Sequence, residues 1–224
     1  MRTKIQQVSD TAVRLQFGSS IDHALTYILL DFVNRLKLNC IAGITSWEIA
    51  YTTVTVHFEP WRICGNDAVL FLRQLSHGDA VAAVPGRTLE IPVCYGGEYG
   101  PDLADVAEYH GISQAQVVEM HASPVYPVAF IGFAPGFPYL FGLPAALATP
   151  RLSTPRQRVP AGSVGIGGPQ TGIYPNDSPA GWRIIGRTSL KLFDYTRDPS
   201  ALCAAGDTVR FAPITAEEFE AQLL

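Results

Sequence analysis

At 224 residues, 47% of them hydrophobic, the chain has ample apolar material for a packed core and is long enough for one large or two small domains. Its net charge of −4 argues against nonspecific nucleic-acid binding, which depends on neutralising phosphates. No apolar run follows the basic residues of the opening MRTKIQQVSD, and no stretch offers the roughly 18 apolar residues of a membrane helix, so a soluble cytoplasmic protein is expected.

The first part of the chain reads as strands and helices in alternation. From Thr11 to Phe17, Ala12, Leu15 and Phe17 alternate imperfectly with polar residues, which predicts a strand. Ser20 is placed to cap a helix with Ile21, Leu25, Ile28, Leu29, Phe32 and Leu36 on its apolar face. Strands are expected over 41–47 and 51–58, the second β-branched and aromatic throughout, then a helix from about Asp67 to Ser76. The order strand, strand, helix, strand, strand, helix suggests a two-layer α+β domain. Val84, Pro85 and Gly86 mark a break that divides the chain into domains 1–84 and 85–224.

Beyond the break, Thr88 to Val93 reads as a strand. Two short helices follow, over 101–109 and from Ser113 to about His121, with Ser113 and Gln116 at capping-box spacing. Ala107, Gly111 and Val117 match the spacing of helix-turn-helix DNA readers, but the second helix has Glu119 and no Lys or Arg to meet phosphate or guanine, which excludes DNA binding. Asp102, Asp105 and Glu108 read as the solvated face of the first helix. From Val128 onward the signals are strands and turns, in PVAFIGF, GWRIIGRTSLKLF and DTVRFAP.

The segment 130–187 is the most informative. An uncharged aromatic run, FIGFAPGFPYLFGLP, leads into a stretch dense in glycine and proline that cannot be helical. No Lys or Arg occurs from Thr88 to Pro150, whereas Arg151, Arg156, Arg158, Arg183, Arg187, Lys191 and Arg197 crowd the segment that follows. A planar guanidinium fork suits carboxylate or phosphate, so a glycine-rich, arginine-bearing segment predicts a small-anion site or an acidic partner surface. A long structural loop folded over a barrel is the alternative. The aromatic run from Ala129 to Leu143 is the expected docking surface.

Other chemistry finds less support. AGSVG, with Ser163 in the attacking place, lacks the helix that must follow a nucleophile elbow, and the glycines lack the G-K-[ST] of an ATPase loop. Cys40, Cys64, Cys94 and Cys203 are widely spaced, which predicts free thiols. The five histidines show no metal-ligand spacing, so structural roles and no metal are expected. Glu98, beside Gly96 and Gly97, is the acid of most interest, but no catalytic residue is identifiable.

IPVCYGGEYGPDL, FIGFAPGFPYL, TPR, VPAGSVGIGGPQTGIYP and GWRIIGRTSL together resemble the KipI and allophanate hydrolase subunit 1 family, whose bacterial members include the B-type subunit of 5-oxoprolinase. The chain departs from the family pattern at Val8, Ser9, Ile49, Phe141 and Ala180. The resemblance implies an α+β N-terminal domain followed by a mainly-β, cyclophilin-like barrel domain. It further implies a non-autonomous member of a complex that hydrolyses 5-oxo-L-proline to L-glutamate at the expense of ATP. ATP would be used by the complex, with no cofactor on this chain. The partners would be a C-type subunit, of the allophanate hydrolase subunit 2 kind, and an A-type subunit, of the LamB/YcsF kind. An inhibitor of a sensor histidine kinase, or a member of a urea or allophanate complex, is equally within the family.

On this reading Arg156, Arg158 or Arg187 would hold the small anionic substrate. Backbone amides at Gly165, Gly167 and Gly168 would stabilise a developing oxyanion, with Gln170 and Tyr174 in the same segment. Phe133, Phe137, Tyr139 and Trp182 would form a hydrophobic wall or a partner contact.

Overall fold

Lys4–Ser9 (β1), Ala12–Gln16 (β2), Ile44–Ile49 (β3) and Thr53–Phe58 (β4) pair as an antiparallel sheet in the order β1-β2-β4-β3. The computed structural model describes residues 3–20, 23–78 and 86–223. Its backbone divides into two compact units, Met1–Pro85 and Gly86–Leu224. Ile21 of the expected helix face, and Val84 and Pro85 of the expected break, lie outside the described residues.

In the first unit, helices His23–Leu38 (α1) and Gly65–Ser76 (α2) complete the core. Val13, Leu15, Val54 and Val56 of the sheet meet Leu25, Leu29, Phe32 and Leu36 of α1 and Ala68 and Leu72 of α2. Ile28 leaves this stripe: it is 41% exposed, and Val33 takes the buried position instead. Strand β1 is the polar run KIQQVS, held by its ladder to β2 rather than by burial. Arg35 is buried, paired with Asp31 at 2.9 Å, and donates to the carbonyls of Leu75 and Gly78 at the end of α2. It thereby satisfies carbonyls that a helix terminus leaves open.

The second unit is built on a closed barrel. Its strands are Thr88–Tyr95 (β5), Val125–Ile131 (β6), Pro138–Leu140 (β7), Ser163–Gly167 (β9), Gln170–Ile173 (β10), Arg183–Arg187 (β12) and Thr208–Ile214 (β13), in the order β10-β7-β6-β13-β5-β12-β9. β9 pairs with β10 to close it, and β5 runs parallel to β13 with Thr88 opposite Thr208. Arg156–Val159 (β8) and Ser178–Ala180 (β11) form a separate two-stranded ribbon. The glycine-proline segment is thus mostly strand rather than the long loop entertained from composition.

Helices Leu103–His110 (α3), Gln114–Ala122 (α4) and Ala216–Ala221 (α5) belong to this unit. The expected capping box is present: Ser113 accepts from the Gln116 N–H, and the Gln116 side chain accepts from the Ser113 N–H. α4 carries the fully buried His121 into the core, where its ring stacks on Phe211 at 4.6 Å. The Thr171 hydroxyl donates to the Gly165 carbonyl at 3.0 Å, so His121 Nε2–H donates to Thr171 Oγ1 and Nδ1 accepts from the Tyr95 hydroxyl. Burial lowers the His121 pKa from 6.5 to about 3, which keeps the ring neutral in this network.

Candidate functional site

Two clefts of the barrel unit take up the aromatic and the arginine residues expected at the site, one kind each. The larger, of about 260 Å³, is lined by Phe133, Phe137, Tyr139, Tyr174 and Trp182, with Ala180 and Arg151 beside them. Phe137 is the hub, its ring centroid 4.9 Å from Tyr139, 5.2 Å from Tyr174 and 5.6 Å from Trp182. Five rings from the β6–β7 turn, β7, the end of β10 and the start of β12 converge on one spot.

Glycines make that convergence possible by leaving space. A Cβ on Gly167 would lie 2.5 Å from Cδ1 and Cε2 of the Trp182 indole, and one on Gly172 would lie 2.9 Å from Cζ of Phe137. The rings lie against the barrel wall only because those strand positions carry no side chain. The expected oxyanion cradle is corrected accordingly. Gly165 pairs with Gly172 on one side and Ile184 on the other, Gly167 pairs with Gln170, and the Gly168 N–H donates to the Thr149 carbonyl at 2.8 Å. The sheet uses this backbone, and Gln170 lies at its hairpin rather than in either cleft.

The aromatic run is also less exposed than expected. Phe130, Phe137 and Leu140 are buried, and only Phe133 stands out, 66% exposed. Phe133 has φ +64°, with the Ala134 N–H donating to the Gly132 carbonyl at 2.7 Å in a γ-turn. Burial pushes the Tyr174 phenol up to about 12, with Arg151 opposing, and it also raises Tyr139. Both hydroxyls are therefore protonated near neutral pH.

The second cleft, of about 70 Å³, brings Arg156, Arg158 and Arg187 together with Glu98, Tyr99 and Ser163. Its arginines are committed within the chain. Arg156 gives both terminal nitrogens to Asp102, each at 2.7 Å, and Asp102 Oδ2 also accepts the Ile184 N–H at 2.6 Å. Asp102, expected on a solvated face, is 2% exposed, because it ties β12 and the Arg156 fork to the start of α3. Arg158 pairs with Asp177, whose carboxyl is held low by the Ala161 N–H and by Arg158 itself. Arg187 Nε donates to the Ala161 carbonyl at 2.9 Å. The expectation that Arg156 holds an anion is corrected, since the two terminal nitrogens that would grip it bidentately are already given to a buried carboxylate.

Arg151 is one of the seven cations of segment 151–197, and no motif in the sequence sets it apart. Its guanidinium carbon lies 5.9 Å from the centroid of the Trp182 ring.

The chain belongs to the family described as carboxyltransferase domain, subdomain C and D, whose match spans residues 3–203. It is 61% identical to the B-type subunit of 5-oxoprolinase from Escherichia coli O157:H7, over 95% of this chain and 96% of that protein. Identity to the B-type subunit of 5-oxoprolinase from Bacillus subtilis (strain 168) is 36%, covering 99% of this chain and 97% of that one. The crystal structure of TTHA0988 superposes with a TM-score of 0.81 at 34% identity, covering 92% of this chain. This chain spans 40% of the length of that structure.

Proposed function

We propose that this chain is one subunit of an ATP-dependent 5-oxoprolinase, which opens the lactam C–N bond of 5-oxo-L-proline with water to give L-glutamate. The observation that carries this reading is the 61% identity to a B-type subunit of 5-oxoprolinase along 96% of that protein's length. Similarity to a urea amidolyase is 22% and touches 13% of that protein, which favours the oxoprolinase over the urea reading.

The chain acts with two partners, one of the C type, related to allophanate hydrolase subunit 2, and one of the A type, related to LamB/YcsF proteins. ATP is used by the complex, in the cytoplasm. The barrel, taken as cyclophilin-like, forms a domain distinct from the N-terminal α+β domain and contributes a binding surface. The aromatic cleft supports a small apolar ring, and the cleft around Glu98, Arg158 and Arg187 supports polar contact with substrate or partner. Catalytic groups come from the partners: Glu98 and Ser163 line one cleft, but no hydrogen bond joins them among the described residues.

ATP-dependent glutamate formation, assayed with the purified chain and then with the partners added, tests the proposal. Turnover is expected only in the assembled mixture. Turnover by the chain alone would contradict the dependence, and none with the full set would contradict the function.

A further inference from the structure

We infer that the aromatic cleft binds a small cyclic carboxylate and that Arg151 holds its carboxylate. The chemical class rests on the cleft itself; naming 5-oxo-L-proline as the ligand rests on the oxoprolinase reading.

The first observation is a difference among the cations of segment 151–197. Arg156, Arg158, Arg183 and Lys191 each have a carboxylate within 3.0 Å. Arg187 and Arg197 donate to backbone carbonyls. Arg151 has neither kind of partner among the described residues. It is exposed, and its guanidinium sits over the Trp182 ring. Stacking fixes the plane of the fork without using its N–H donors, which stay available for an anion. Trp182 is itself 5% exposed and packed by Phe137, so the platform under the cation is a buried aromatic face.

The second observation is Phe133 at the edge of the same cleft. It has the one positive φ of a non-glycine among the described residues, a conformation that costs about 1–3 kcal/mol and persists where the surroundings impose it. The strained turn stands a large apolar ring in solvent, edge-on to Phe137 at 5.5 Å. The cleft thus has buried rings for a floor, one exposed ring for a wall and a single unpaired cation at one end. A flat apolar ring with one negative charge complements that arrangement.

The phenols complete it. Tyr139 and Tyr174 both line the cleft as protonated hydroxyls, and a hydroxyl both donates and accepts. The Tyr174 oxygen already accepts the Trp182 backbone N–H, so its O–H is the donor left for a lactam carbonyl. A volume of about 260 Å³ lies under the roughly 300–1,000 Å³ of sites for drug-sized ligands, as befits a smaller molecule.

The test compares 5-oxo-L-proline with 2-pyrrolidone, the same lactam ring without the carboxylate. Binding is measured by calorimetry on the full chain and on the complex assembled with its partners, and the KM for 5-oxo-L-proline is measured in the complex. Arg151→Gln is expected to weaken 5-oxo-L-proline by at least about tenfold, the scale of a charged hydrogen bond, while 2-pyrrolidone changes by less than about twofold. Arg151→Lys is expected to recover part of the loss.

Unchanged affinity and KM for 5-oxo-L-proline in Arg151→Gln would overturn the inference. So would a wild-type chain and complex that both fail to bind it. Failure of the variant to join its partners, with unchanged ligand binding by the chain alone, would make the cleft a partner contact and overturn it too. Arg151-dependent binding by the chain, in a complex that does not hydrolyse 5-oxo-L-proline, would uphold the site and remove the oxoprolinase reading.

Discussion

The two clefts of the barrel unit show how little a count of arginines says about anion binding. The small cleft holds Arg156, Arg158 and Arg187, yet Arg156 and Arg158 are paired with Asp102 and Asp177, and Arg187 gives its Nε–H to the Ala161 carbonyl. The large cleft has one arginine and five aromatic rings, and that arginine has no acid beside it among the described residues. Whether a cation is already paired decides its role, and pairing is a property of the fold. The first cleft is a structural tie between α3, β12 and the β8–β11 ribbon. The second is where charge remains available.

The contrast predicts opposite consequences for similar substitutions. His121→Gln, which touches neither cleft, has the largest effect and sets the baseline for the unit. Because the folded pKa of about 3 lies below the ordinary 6.5, the unfolded chain binds the extra proton between those values. The His121 contribution therefore costs nothing above pH 6.5 and removes up to several kcal/mol as pH falls toward 3. Urea unfolding of wild type should show a steep acid limb over that window, and His121→Gln should flatten it.

Arg156→Ala should cost roughly 2–4 kcal/mol, because it leaves the buried Asp102 carboxylate with the Ile184 N–H and no cation. Chemical denaturation checks this, and turnover per folded complex should stay near wild type. Gly167→Ala should cost roughly 1–3 kcal/mol as the added methyl forces the Trp182 indole off the barrel wall. Its signature is a change in Trp182 emission together with weaker ligand binding, which separates it from Arg156→Ala. Arg158→Ala should cost at most about 1 kcal/mol, since its pair with Asp177 is solvent-facing.

Local rules carried well from sequence to structure. The Ser113–Gln116 box started α4 where expected, because both partners lie within one turn. The β-branched run at β4 formed its strand, and the alternation in β2 held. What failed to carry was set by distant partners. Four of the seven barrel strands run only three to five residues, and β5 meets β13 in a parallel pairing of Thr88 with Thr208, which no short-range pattern announces.

The same holds in the candidate site. Phe133, Phe137, Tyr139 and Trp182 were legible as a group from the aromatic run and the family motifs, and the structure gathers them in one cleft with Tyr174, which the sequence grouped with the glycine segment. Arg156 was misread because its partner Asp102 lies 54 positions away and looks, in sequence, like a solvated helix acid. Gly165 and Gly167 were read as backbone donors, whereas their missing side chains make room for Trp182. Arg151 passed as one cation among seven, since nothing in the sequence marks which of them lacks both a carboxylate and a carbonyl partner among the described residues.

The most direct measurement is the KM for 5-oxo-L-proline in assembled complexes carrying Arg151→Gln or Arg156→Gln, taken alongside the unfolding midpoint of each variant chain. Arg151→Gln is expected to raise KM by about tenfold or more with an unmoved midpoint, while Arg156→Gln lowers the midpoint with KM near wild type. The reverse pattern, a raised KM at Arg156 and none at Arg151, would contradict the assignment of the two clefts.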